Sequence, residues 1–487
     1  MPVTFPATPE QLAVVEAALQ GGNLKIKAGA GAGKTSTLQL LADGFGQRRG
    51  IYLAFNRDIA AAAARKFPAH VPARTMHAHA WAAADGALRR RGSLDAEPPH
   101  LLASRFGIGA VEVRSVTGRA FELVPFETGR IIADALGRFC RSADLQPDAS
   151  HIVIDEKIDE SDAAQLRNWL LPFVRRLWGE SAAPGAHGAV SPDVVLKLWA
   201  LSEPRIEADY ILFDEAQDSD AVMLSVLARQ RHAQVIYVGD PYQQIYEWRG
   251  AVNAMAQIDA PECALTESFR FGPTFAALAS RLLVRLGERT PLRGQDSIGS
   301  ILVEDPAIAP PVDAVLCRKN VTAIWQLAAG LEAGDRPAIR MSPAEIAAFA
   351  DGADQLLAGH RTFRPAAFSL FENWAEVQAF SRTPFGQDLQ PVVRIVDELG
   401  TAYLRALAQR CAPEQQADYV ISTVHRAKGL EWKRVRVAND FRFHGADGSS
   451  VPDDDEIRLL YVAITRAQHV LDISEMREEL VRLVSRG

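Results

Sequence analysis

The sequence predicts an α/β protein built on two parallel sheets, one in each half of the chain. Three observations carry this. Short apolar runs alternate with helix-like segments, the signature of strand–helix–strand units. A glycine-rich turn ending in Lys-Thr stands between the first such run and the first helix. A second series of apolar runs repeats the alternation beyond the middle of the chain.

In chain order, Asn23–Ala28, Ile51–Phe55, Tyr210–Phe213, Gln234–Val238 and Ala264–Glu267 read as buried strands. Helix-like segments such as Ser36–Ala42 and Arg57–Phe67 follow them. The second series is Ser300–Glu304, Ala314–Cys317, Tyr419–Val424, Arg434–Ala438 and His469–Ile473. Two mostly helix-like stretches, 82–205 and 341–415, interrupt the alternation and read as insertions. The expected organisation is a first α/β domain from 1–81 and 206–275, and a second from 276–340 and 416–487. The Arg-rich turns of the first insertion (Arg89, Arg90, Arg91, Arg175, Arg176) read as a solvated face or a contact to duplex nucleic acid.

Composition sets the limits. The 487 residues carry 53 Lys+Arg and 60 Asp+Glu, a net charge of −7, with 48% hydrophobic residues. That is an ordinary globular balance, not a disordered, collagenous or coiled-coil one. An acidic total excludes a uniformly basic coat but not a local basic groove. No run approaches the ~18 apolar residues of a membrane span. The start, MPVTFPATPEQ, lacks a secretory leader pattern. The 4 cysteines stand far apart, with no metal-binding spacing. Sparse cysteine and no leader give the expectation of a cytoplasmic protein without a membrane partner.

Residues Ala28, Gly29, Ala30, Gly31, Ala32, Gly33, Lys34 and Thr35 read AGAGAGKT. With Ala for the first Gly, this fits a phosphate-binding loop between a strand and a helix. Its glycines let backbone N–H groups turn inward around phosphate oxygens, and the helix N-terminus adds partial positive charge. Lys34 would reach the terminal phosphates and Thr35 would hold Mg²⁺. The alternative, a tight Ala/Gly turn before a helix, leaves the Lys-Thr pair unexplained. Asp214 and Glu215 end a strand. Asp214 would be the second Mg²⁺ partner, and Glu215 would orient and deprotonate an attacking water. Such a pair also occurs as helix N-terminal acids.

From Asp214 onward the blocks become specific: DEAQD (Asp214–Asp218), VGDPYQQIYEWRGA (Val238–Ala251), LTESFRFG (Leu265–Gly272), STVHRAKGLEW (Ser422–Trp432) and LLYVAITRA (Leu459–Ala467). In this order they resemble superfamily 1 DNA helicases of the UvrD/Rep type. LAFNRDIA, RTMHAHAW and LKLWALSEP bring the likeness nearest to the F-box DNA helicase branch, without an F-box read in this sequence. The likeness runs from about Gln11 to about Ile473.

The resemblance implies two RecA-like motor domains, ATP and Mg²⁺ as cofactors, and an ATP site fed by both. It implies that Arg270 and Arg466 face the γ-phosphate, where such an arginine is worth roughly 10³–10⁵ in rate. Gln243 matches a γ-phosphate-sensing glutamine, Glu431 a ribose contact and Gln11 an adenine-reading glutamine. Phe269 matches an adenine-stacking aromatic, with core packing as its alternative. Ser36 stands where relatives often carry Arg, which loosens the expected base recognition.

For nucleic acid, the resemblance implies Trp248 as a base-stacking wall, worth ~1–3 kcal/mol per base, with Tyr246 and Arg249 beside it. Burial in the core is the alternative for Trp248. Phe55 and Asn56 match another contact, with Phe55 in the core as the alternative. His77 matches a contacting histidine with Thr75 beside it, against a purely structural role. Asp440 and the run Asp453–Asp455 read as solvated loop acids.

The expected activity is ATP-driven 3′→5′ movement on single-stranded DNA, and unwinding of tailed duplexes, in DNA repair or recombination control. The direction is implied by the resemblance alone: the HRAKGLE form of the fifth block and the helical insertions in both halves look like the 3′→5′ branch. The competing expectation is a DNA-sensing ATPase switch that strips proteins such as recombinase filaments, or controls a partner nuclease in a repair or phage-defence system.

Overall fold

The apolar runs of the first half form strands because both of their faces are covered. Gly50–Ala54 and Tyr210–Phe213 are buried at every position, as a parallel sheet flanked by helices requires. The computed structural model describes residues 6–92, 97–116, 118, 120–155, 158–183, 185–245, 254–362, 364–368, 371–382, 389–441, 443 and 453–485. The chain divides into two units: Met1–Ala28 with Lys34–Leu265, and Gly29–Gly33 with Thr266–Gly487.

The first unit contains β1 (Leu24–Ala28), β2 (Gly50–Ala54), β3 (Ala73–Thr75), a hairpin of β4 (Val111–Arg114) and β5 (Ala120–Leu123), then β6 (Tyr210–Phe213), β7 (Gln234–Gly239) and β8 (Glu262–Leu265). Six of these make one parallel sheet in the order β3-β2-β6-β7-β1-β8. Strands β6, β7 and β1 are therefore neighbours. Segments that follow them in the chain emerge at one carboxyl edge, where ligands bind in open α/β sheets. The helix after the glycine loop spans Lys34–Gly44, starting two positions before the expected Ser36.

The stretch 82–205 is mostly helical, but its hairpin β4–β5 does not show as apolar runs. Only Val113 and Leu123 among its residues are buried. Leu102, Phe106, Ile132, Leu166 and Leu170 form a core of the insertion's own. Helix Pro125–Arg141 serves two cores. Ile132 and Ala135 face the insertion. Leu136, Phe139 and Cys140 pack with Ile51 and Ile211 of the sheet.

The Arg-rich turns are partly structural. Arg91 is 7% exposed and donates to the carbonyls of Glu180 at 3.1 Å, Ser181 at 2.9 Å and Gly188 at 2.8 Å. The reading of a solvated or duplex-facing residue fails there, because three loop carbonyls need a donor away from water. Arg89 donates to the carbonyls of Trp81 and Ala82, close to the end of helix Met76–Ala83. Asp144, Asp148 and His151 lie close enough to share a metal ion, yet the ring is already committed. Its Nδ1 accepts from the Asp148 N–H at 3.0 Å. The proton therefore sits on Nε2, which donates to Asp144 at 3.0 Å. The cluster is a loop clasp.

The second unit opens with a two-stranded parallel pair, β9 (Glu267–Ser268) and β10 (Arg293–Gly294). This pairing draws residues after Leu265 into the second unit, ahead of the expected 275/276 boundary. Its main sheet holds β11 (Ile301–Val303), β12 (Ala314–Cys317), β13 (Pro337–Ile339), β14 (Tyr419–Thr423), β15 (Trp432–Val437) and β16 (Ala467–Asp472). The order is β11-β16-β15-β12-β14-β13, again parallel. β13 begins with Pro337 and lies at the sheet edge, where a missing N–H is tolerated. Among the described residues, the helices within 341–415 pack onto the sheet's own core. Ile346, Phe349 and Leu404 share it with Val315 and Ile421 of the sheet.

Asp440 is not a solvated acid. It is 4% exposed, and its carboxylate accepts the N–H groups of Arg318 at 2.8 Å and Lys319 at 2.9 Å. Asp453 caps helix Asp454–Ile464, whose first turn contains Asp454 and Asp455. No described helix is long and apolar enough to cross a membrane.

Helix Pro343–Leu357 begins with a capping box of Ser342 and Glu345. Glu345 also bonds Arg426 of the HRAKGLEW block. That bond to Arg426, with the Ser342 bonds, outweighs desolvation and holds the Glu345 carboxyl down at about 2. A depressed folded pKa gives stability that is present above the unfolded value of ~4.3 and lost as pH falls through the folded one. Glu345→Gln is therefore expected to lower stability at pH 7 by about 1 kcal/mol. Denaturant titration should show the gap to the unsubstituted protein closing as pH falls from ~4.3 toward ~2. A gap independent of pH would contradict the assignment.

Candidate nucleotide site and nucleic-acid track

Sheet order brings the acids to the lysine. Lys34 starts the helix that follows β1 and the glycine loop, while Asp214-Glu215 follow β6 and Asp240 follows β7. The Lys34 ammonium lies 2.8 Å from Glu215 Oε1. Burial alone would lower its pKa, but Glu215, Asp214 and Asp240 together outweigh that and raise it. Burial and the Glu215 charge push the Asp214 carboxyl up, against the pull of Lys34 and a hydrogen bond from the Tyr52 hydroxyl.

Glu215 sits in the left-handed region at φ 54°, ψ 40°. For a non-glycine residue that costs of order 1–3 kcal/mol, a strain that typically persists at functional sites. Its N–H donates to Asp214 Oδ1 at 2.9 Å. Gln217, fully buried, donates from Nε2 to Glu215 Oε2 at 2.5 Å and accepts the Asp240 N–H at 3.0 Å. A Cβ on Gly239 would lie 2.4 Å from Gln217 Oε1, so only glycine leaves room for this bridge. Gln243 donates to Asp240 Oδ2 at 2.7 Å. Gln11 is buried, closing a capping box with Thr8 and donating to Thr37 of the next helix at 3.0 Å. Thr35 is half-buried and Ser36 exposed.

In the second unit, the glycine loop is held by the LTESFRFG segment. Gly31 and Gly33 have φ near +73° and +74°, and a Cβ on Gly31 would lie 2.5 Å from Ser268 Oγ and 2.7 Å from Arg270 Cβ. Gly31 O accepts the Phe269 N–H at 2.9 Å, and the Ala30 N–H donates to the Tyr461 hydroxyl at 3.1 Å. Phe269 is half-buried. Arg270 donates to Glu431 Oε2 at 2.6 Å and to the Thr465 carbonyl at 2.9 Å. Gln468 donates to the other Glu431 oxygen at 3.0 Å. Arg466 is 2% exposed and donates to the carbonyls of Val462 at 3.0 Å and Leu430 at 3.3 Å. The two residues read as a ribose contact and a phosphate arginine, Glu431 and Arg270, thus form an ion pair.

On the track side, Phe55 lies one residue past β2 and is 37% exposed, so core packing is not its role. Asn56 and Thr75 are helix N-caps, accepting from Ile59 N at 2.8 Å and Ala78 N at 3.1 Å. His77 Nε2 lies 3.1 Å from Asp193, whose other oxygen accepts from Arg141 at 2.9 Å. Phe55, Met76 and His77 line one cavity with Asp214, Glu215 and Met223. Tyr246, Trp248 and Arg249 lie outside the described residues.

Sequence reading did not single out Tyr52, Gln217, Asp240 or Tyr461. The last three sit inside quoted blocks, DEAQD, VGDPYQQ and LLYVAITRA. Tyr52 carried no signal, since it reads as one more apolar position of a buried strand.

The donor set suits a magnesium–nucleotide. Around one ammonium stand three carboxylates, an excess of negative charge that favours a hard divalent cation. The loop beside Lys34 tolerates no Cβ at Gly31. With two parallel sheets of similar build, these features define a P-loop α/β fold with two RecA-like sheets.

Comparison with known proteins agrees. A family model described as an AAA domain matches residues 11–249, and one described as the UvrD-like helicase C-terminal domain matches residues 388–478. F-box DNA helicase protein 1 of Schizosaccharomyces pombe is 30% identical over 535 aligned residues, covering 99% of this chain and 59% of that protein. F-box DNA helicase 1 of Gallus gallus is 28% identical over 527, covering 98% of this chain and 50% of that protein. The chain thus spans half to three-fifths of the length of these relatives. The chain is thus similar to UvrD-like helicases, with the F-box DNA helicase branch among its relatives, and its two parallel sheets have the RecA-like build of such proteins.

Gln217→Ala removes the holder of Glu215 and strands the buried Asp240 N–H. Denaturant unfolding should show a loss of about 1–3 kcal/mol. Nucleotide turnover should fall by about 10²-fold, since misplacing a reacting group by ~1 Å costs that much. Unchanged turnover would show that Lys34 alone positions Glu215.

Proposed function

We propose that the chain is an ATP-dependent DNA translocase and helicase moving 3′→5′ on single-stranded DNA. One observation carries this most: a single cavity is lined both by the acidic pair Asp214-Glu215 and by Phe55 and His77. This supports a reading in which the chemistry lies beside the track. The relatives' printed names as DNA helicases support the same reading, and the HRAKGLE form of His425–Glu431 supports the direction.

In this reading Ala28–Ser36 cradle the phosphates, Lys34 binds the terminal ones, and Thr35 and Asp214 hold Mg²⁺, which when bound neutralises phosphate charge. Glu215, fixed by its left-handed backbone and by Gln217, takes the proton of the attacking water. Arg270 exchanges Glu431 for phosphate oxygens, and Arg466 leaves its carbonyl partners to do the same. Gln243 reports phosphate occupancy through Asp240. Gln11 and Phe269 bound the adenine, and Glu431, once released, reaches the ribose. Phe55, Asn56, Thr75, His77, Tyr246, Trp248 and Arg249 form the track. Closure of the two motor domains on ATP, reversed by hydrolysis, supplies the step. Repair or recombination control is the setting this activity fits.

Purified protein should unwind a 3′-tailed duplex with ATP and leave a 5′-tailed one intact. Lys34→Ala should lose both unwinding and hydrolysis by at least about 10²–10³-fold. Unwinding retained in Lys34→Ala would defeat the proposal, and unwinding of only the 5′-tailed substrate would reverse its direction.

A further inference from the structure

We infer that Tyr52 is a positioning residue for the magnesium-binding carboxylate, a role outside the motif blocks. The inference rests on the reading of Asp214 as a Mg²⁺ partner.

The placement follows from strand register. Tyr52 in β2 stands opposite Leu212 in β6. Side chains alternate along a strand, so position 214 continues the face of 212, one pleat further on. A tyrosine opposite Leu212 therefore reaches diagonally to the acid at the strand end. Its hydroxyl donates to Asp214 Oδ2. Asp214 Oδ1 accepts the Glu215 N–H, so both carboxylate oxygens are held from outside the nucleotide. Tyr52 is 1% exposed, and Phe67 packs against its ring with centroids 4.8 Å apart, which leaves the ring little freedom to turn.

A plain aromatic core residue would need no hydroxyl here. A phenol buried next to a carboxylate is costly unless the two bond, and the bond fixes the carboxylate's orientation as well. Partners that hydrogen-bond a metal-ligating carboxylate aim its remaining lone pairs, and losing one typically costs 10–100-fold in metal affinity. Tyr52 thus sets how much Mg²⁺ the protein needs. The acid comes from the strand after the helical insertion, and its holder from the strand before it.

The test is equilibrium binding of a fluorescent ADP analogue to the full chain, titrated with Mg²⁺ and repeated in EDTA. Tyr52→Phe removes one oxygen and keeps the ring. The expected result is a Mg²⁺ midpoint raised by about 10-fold, with affinity in EDTA unchanged. Added to Asp214→Asn, Tyr52→Phe should shift nothing further, because the bond no longer has its carboxylate. A wild-type Mg²⁺ midpoint in Tyr52→Phe, or an additional shift in the double variant, overturns the positioning role. Binding that ignores Mg²⁺ in the unsubstituted protein overturns the underlying reading of Asp214.

Discussion

One half-buried cation, Lys34, is faced by three carboxylates, and much of the first motor domain is arranged to keep them together. Asp214, Glu215 and Asp240 all raise the lysine's proton affinity against the opposing effect of burial. Such a cluster is stable only if each acid is also bonded elsewhere, since an unpaired buried charge costs several kcal/mol. Asp214 leans on Tyr52 and on a backbone N–H, Glu215 on Gln217, and Asp240 on Gln243. Gly239 is small so that Gln217 fits, and Glu215 accepts a left-handed backbone so that its side chain returns to the lysine. These features serve one electrostatic centre, and that centre is short of positive charge.

The second motor domain shows the complementary condition. Arg270 bonds Glu431, and Arg466 is buried among carbonyls of its own domain. Both arginines of the γ-phosphate reading are thus engaged within their own domain, Arg270 by an ion pair and Arg466 by hydrogen bonds to carbonyls. In the proposed reading, reaching a phosphate would mean exchanging these partners. The glycine loop, wedged against Ser268 and Arg270, is covalently continuous with Lys34.

Much of this was legible in the sequence. Tyr210–Phe213 and Ala314–Cys317 read correctly to the residue, because strands buried on both faces are continuous apolar runs. The loop, the lysine and the acidic pair were legible because few residue types satisfy their geometry. What escaped depends on long-range pairing. The β4–β5 hairpin buries too little to leave a pattern, and Ala73–Thr75 and Pro337–Ile339 are too short. Asp440 and Arg91 read as solvent residues because their partners, backbone groups elsewhere in the fold, have no sequence signature. Tyr52 read as apolar filling because only the β2–β6 register places its hydroxyl on Asp214.

The central claim is that nucleotide chemistry at Lys34 and Glu215 is driven by single-stranded DNA. The most direct measurement is steady-state ATP hydrolysis with and without a single-stranded oligonucleotide, across a salt series. The account predicts strong stimulation by DNA, with apparent affinity falling on a log–log salt plot by ~0.7 per phosphate contacted. Hydrolysis that proceeds at one rate with or without DNA, at every salt concentration, would contradict it.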